Sequence, residues 1–162
     1  MSTNSPTAIQ IFDLLQGSWN GEGRGEFPGV TSFAYRERLT FTRHDPKTVA
    51  YEQRTKKCYD GTTEYVESHW ENGFLRILES GELEMTSAQI GRTEVLIGGT
   101  EVIETLIRIR LASKTIANDP RVISSARTLE LEGDSLRYEM EMHTTKVAQS
   151  TPHVKIALQR SR

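Results

Sequence analysis

Four histidines, one cysteine and a glycine-rich stretch hold most of the reactive chemistry in this chain. His44, His69, His143 and His153 stand far apart, and neither H-x-x-x-H nor C-x-x-C occurs, so spacing indicates no zinc site. Taken one at a time, each reads as exposed or structural. His44 precedes the Asp45-Pro46 turn signal, His69 precedes Glu71-Asn72-Gly73, and His143 alternates with Glu139 and Glu141. Cys58 follows Lys56 and Lys57, and nearby cations favour a thiolate. No G-x-S-x-G or phosphate-loop motif supports a hydrolase or nucleotide reading. Residues 17 to 25 read G-S-W-N-G-E-G-R-G. Gly17, Gly21, Gly23 and Gly25 share one strand face with Trp19. A bare face lets a strand bend sharply, or lets a flat ligand lie against its backbone.

These residues need elements to hold them. Ser5-Pro6 reads as a helix N-cap with proline at the first helical position. Ala8, Ile11, Phe12 and Leu15 follow as an apolar stripe, and Gly17 ends the helix after about three turns. The period then becomes two. Tyr35, Leu39 and Phe41 form one set, and Val49, Tyr51 and Gln53 another. Ile103 to Ile109, Leu129 and Leu131, Leu136 to Met142, and Val154, Ile156 and Leu158 complete the strand-like runs. Asp60-Gly61, Glu71-Asn72-Gly73, Ser80-Gly81, Gly98-Gly99 and Gly133-Asp134 read as turns between them. The expected architecture is all-β, an antiparallel barrel of about ten strands with one short N-terminal helix, which closes its sheet edges and encloses a ligand cavity.

The 162 residues suit a single domain over 1–162, and the net charge of -2 offers no basic face for nucleic acid or an anionic membrane. One cysteine forms no internal disulfide, no apolar run crosses a bilayer, and M-S-T-N-S-P-T has no signal-peptide character. A cytoplasmic protein is expected.

The pattern G-x-W-x-G-x-G-x-G followed by x-[YF]-P, met by residues 17 to 28, resembles the nitrobindin family. R-E-R-L-T-F-T-R-H (36 to 44), H-W-E-N-G-F-L-R (69 to 76), A-N-D-P-R-V-I-S-S-A-R (117 to 127) and T-P-H-V-K-I-A-L-Q-R (151 to 160) agree in order. The resemblance implies a barrel similar to fatty-acid-binding proteins, holding one ferric haem b per chain. It implies binding of nitric oxide and isomerisation of peroxynitrite to nitrate, with no catalytic residue beyond the haem iron. By position the axial iron ligand is His153, with His69 and Arg127 near the haem. The family's threonine after Y-P is replaced by Gly29, which leaves only backbone for that contact. A monomer or weak homodimer is expected.

His153 lies out of phase with Val154, Ile156 and Leu158. Haem ligation therefore requires either that its face meets the cavity mouth or that the strand is irregular after Pro152. The alternative function is a non-enzymatic carrier of a hydrophobic ligand such as a fatty acid, with Arg108, Arg110 or Arg127 anchoring the carboxylate.

Overall fold

The computed structural model describes residues 6–25, 31–147 and 149–161. One helix, α1 (Ala8–Leu15), precedes β1 (Gly17–Gly25), β2 (Phe33–Asp45), β3 (Thr48–Tyr59), β4 (Val66–Ile77) and β5 (Leu83–Gln89). β6 (Arg92–Ile103), β7 (Leu106–Ala117), β8 (Val122–Glu132), β9 (Ser135–Thr144) and β10 (Thr151–Arg160) follow. Each strand pairs antiparallel with its sequence neighbours, and β1 pairs with β10, so the barrel closes. The expected architecture holds.

The helix differs in detail from expectation. Its N-cap is Thr7, whose hydroxyl accepts the Gln10 N–H at 3.3 Å while Gln10 Oε1 accepts the Thr7 N–H at 2.8 Å. This reciprocal capping box shortens α1 to eight residues, about two turns. Pro6 stays outside it, and Ser5 lies outside the described residues. Ile11, Phe12 and Leu15 are fully buried and plug one end of the barrel. Trp19 Nε1 donates to the Leu15 carbonyl at 2.9 Å, and the Arg160 guanidinium sits 4.1 Å above the Trp19 ring. The helix is thereby tied to both closing strands.

Two expected turns are strand interior. Glu71-Asn72-Gly73 lies within β4 and Gly98-Gly99 within β6. Both glycines are needed for close approach. A Cβ on Gly73 would collide with the Thr86 carbonyl and come within 2.7 Å of the Tyr51 ring, and one on Gly98 would collide with the Arg110 carbonyl. The run from Ile103 to Ile109 is also not one strand. Glu104, at φ +56°, turns the chain between β6 and β7.

The β1 glycines face inward with buried Trp19, while Asn20, Glu22 and Arg24 point out. Their bare face is filled by protein. A Cβ on Gly23 would lie 2.8 Å from the Lys155 carbonyl oxygen and 2.9 Å from Tyr35 Cζ, and one on Gly25 would enter the Phe33 ring. Gly21 has no room because the Ala157 carbonyl occupies it and Leu158 Cα stands 3.1 Å away. Gly21→Ala is therefore expected to lower stability by about 1–3 kcal/mol, since backbone cannot step aside as a side chain would. A chemical-denaturation midpoint equal to wild type would contradict this.

Candidate functional site

The barrel interior is layered. Next to the helical plug lies an apolar core that includes Leu39, Phe41, Leu75, Leu96, Leu136 and Leu158. Past it the inward positions turn polar: Glu37 on β2, Gln53 on β3, Glu71 on β4, Ser87 on β5, Glu94 on β6, and Ser125 and Arg127 on β8 are all buried. Beyond this floor opens a chamber of about 300 Å³. Phe33, Tyr35, Tyr138, Met140, Met142 and Val154 form its apolar wall, with Lys57, His69, Gln89 and Arg92 among the polar groups.

The floor is organised by Arg127. Its Nη1 donates to Glu71 Oε1, and its Nη2 donates to Glu94 Oε2 at 2.8 Å and to Ser87 Oγ at 3.3 Å. Tyr51 donates to Glu71 Oε1 at 2.6 Å, and Ser125 donates to Glu94 Oε1 at 2.7 Å. Burial alone would push Glu71 up. Arg127 overrides it, helped by hydrogen bonds from His69 and Tyr51, and holds the carboxylate well below the usual range.

Glu37 has the opposite fate. Gln53 is its hydrogen-bonding neighbour, though neither Glu37 oxygen makes a bond of ordinary geometry among the described residues. Burial pushes its carboxyl up to about 7. Gln53 opposes that shift, the Glu71 charge adds to it, and Arg127 opposes it weakly because its guanidinium is engaged by Glu71 and Glu94.

His153 lies at the chamber end of the barrel, opposite the helix. The register of β10 against β9 runs Pro152 with Glu141 and then Val154 with Met140, so His153 is the extra residue of a bulge. This irregularity after Pro152 resolves its phase. His153 is only 3 % exposed, although Val154, Ile156 and Leu158 face inward as the apolar alternation requires. His153 Nδ1–H donates to the Thr151 carbonyl at 2.7 Å. That bond fixes the orientation of the ring, as backbone carbonyls do for metal-bound histidines.

The residues fit a haem. They provide an imidazole oriented by a backbone carbonyl, a chamber with an apolar wall and the cationic groups Lys57 and Arg92 beside it. His153 itself lines an adjoining depression of about 260 Å³, which shares Arg92 and Met142 with the chamber. Arg92 Nη1 contacts Met142 Sδ at 3.5 Å, so this pair forms the partition between histidine and chamber.

His69 belongs to β4, not to a loop before a turn. It lines the chamber, and its Nε2 lies 3.3 Å from Glu71 Oε2. Arg127 does not line the chamber and reaches it only through Glu71. Gly29, with Phe27 and Pro28, lies outside the described residues. Arg108 is paired with Glu130 and Glu101 on the outer face, Arg110 is exposed, and Arg127 is committed to two carboxylates, so none of the three is placed to anchor a fatty acid. Cys58 is buried, with its thiol 3.1 Å from the Thr62 carbonyl. His44 is exposed and His143 half-buried. Among the described residues no three His, Cys, Asp or Glu side chains are grouped to hold a metal ion, and no helix is long and apolar enough to cross a membrane.

Glu37, Glu71 and Glu94 were not singled out from sequence. Their signal was a charged residue in phase with inward apolar ones, as in Tyr35, Glu37, Leu39 and Phe41.

Comparison with known proteins gives the site its context. The model of a THAP4-like, haem-binding β-barrel domain matches residues 8–160. Peroxynitrite isomerase 1 of Mycolicibacterium paratuberculosis is 34 % identical over 146 residues, covering 88 % of each chain. Peroxynitrite isomerase 2 of Mycobacterium avium is 33 % identical over the same share of both chains. The crystal structure of Rv2717c from M. tuberculosis superposes with a TM-score of 0.84 at 28 % identity, covering 98 % of this chain and all of that one. The chain belongs to the family of THAP4-like, haem-binding β-barrel domains.

Proposed function

We propose that the protein binds one ferric haem b through His153, isomerises peroxynitrite to nitrate, and takes nitric oxide at the same iron. The observation that carries this reading is the buried His153 at the β10 bulge, with its Nδ1–H held by the Thr151 carbonyl. When bound, haem supplies an open coordination position at which small nitrogen oxides react. The names of the mycobacterial relatives support the choice of substrate.

The chain's own residues have defined tasks. The Thr151 carbonyl orients the imidazole. Phe33, Met140 and Val154 exclude water from the chamber, while Lys57 and Arg92 draw anions towards it. His69, on the chamber wall, would contact the haem from β4, and Arg127 positions the floor through Glu71.

Stopped-flow mixing with peroxynitrite tests the reading. Decay is expected to accelerate in proportion to haem-loaded protein, with nitrate as the product. Decay no faster than with haem-free protein, or nitrite in place of nitrate, would contradict it.

A further inference from the structure

Three buried polar groups around the chamber have unused hydrogen-bonding capacity among the described residues: both oxygens of Glu37, Nε2 of Gln89 and Nε of Arg92. Arg92 Nε lies 3.3 Å from Glu94 Oε1, an ion pair without hydrogen-bond geometry. None of the three takes part in the proposed iron ligation. Buried polar groups normally find partners, so three failures around one cavity mark a place where an occupant completes them. Gln89 Nε2 and Arg92 Nε can only donate, and a neutral Glu37 adds an O–H donor. Their complement is a small molecule rich in acceptors, with negative charge to match Lys57 and Arg92 on the wall.

We infer that the chamber is a binding site for a small planar oxyanion of the nitrate type, which enters together with a proton retained on Glu37. The donor set would serve any such anion, and the choice of a nitrogen oxyanion rests on the reading above. The proton comes from solvent and goes to the Glu37 carboxylate, leaving the chamber's net charge unchanged when the anion arrives. The charged and titratable groups around Glu37 are Tyr35 on its own strand, Lys57 from β3, His69 and Glu71 from β4, Arg92 and Glu94 from β6, Arg127 from β8 and Tyr138 from β9. Arg127 pairs with Glu71 and Glu94, and Arg92 with Glu94 and Asp119, so Glu37 is the chamber carboxylate without a guanidinium contact.

Calorimetric titration with sodium nitrate tests this on the full chain, before and after haem loading, in buffers of different ionisation heat. The haem-free wild type is expected to bind nitrate saturably. It should take up about one proton per nitrate at pH 8 and almost none at pH 6, with affinity falling about tenfold per pH unit above 7. Glu37→Gln should bind with no proton uptake and a flat pH profile. Gln89→Leu should bind about tenfold more weakly with proton uptake intact. No saturable binding by haem-free wild type, or wild-type proton uptake in Glu37→Gln, would overturn the inference. Haem uptake is read separately by its absorbance, so a protein that binds nitrate without haem, or haem without nitrate, distinguishes the two proposals.

Discussion

Arg127→Met is expected to lose about 3–5 kcal/mol of folding stability at pH 7, because it strands buried charges. Glu71 and Glu94 are at most 2 % exposed, and Arg127 is the guanidinium that bridges them. Without it, Glu71 keeps Tyr51 and His69, and Glu94 keeps Ser125 and the 3.3 Å approach of Arg92. Those contacts do not offset the removal of a fully buried cation. A domain of this size is stable by about 5–15 kcal/mol, so the loss is a large share of the total. The pH dependence follows from Glu71. Its folded carboxyl is held below its ordinary range, so the stability it contributes is present above that range and is lost as pH falls through the folded value. Arg127→Met removes the cause, and its deficit should shrink in acid, where a stranded carboxylate can take a proton. Urea denaturation at pH 7 and pH 4.5 checks both parts. A deficit below about 1 kcal/mol at pH 7 would show that the floor does not depend on the ion pairs.

Glu37→Gln is expected to do the reverse above neutral pH. The folded carboxyl is raised from 4.5 to about 7, so the native state keeps a proton that the unfolded chain has already released. Wild-type stability from this group is complete below about 4.5 and declines as pH rises to about 7. The full shift corresponds to about 3 kcal/mol. Gln is neutral throughout and keeps the shape, so the variant should match wild type near pH 4 and exceed it by about that amount at pH 8. Parallel stability profiles for the two proteins would contradict the placement of an unpaired carboxyl on the chamber floor.

The barrel was legible in the sequence because period-two alternation is a property of every strand with one buried face. The errors arose where glycine or charge served packing. Gly73 and Gly98 read as turns because glycine usually punctuates strands, whereas here each yields space to a neighbouring carbonyl. Reading Glu71-Asn72-Gly73 as a turn also hid Glu71, the carboxylate that connects His69 to Arg127. His153 was reachable only through the family resemblance, since a bulge inserts one residue and reverses the face that alternation assigns. The layered division of the interior was not legible at all. It depends on which inward positions of different strands lie at one height, and that is set by register.

Titration of the purified protein with ferric haem, wild type beside His153→Ala, tests the central claim most directly. A saturable Soret band in wild type that is abolished or shifted in His153→Ala, with at least tenfold weaker affinity, is the predicted result. An unchanged spectrum and affinity in His153→Ala would remove this histidine from the iron, and with it the account of the β10 bulge as the device that presents the ligand.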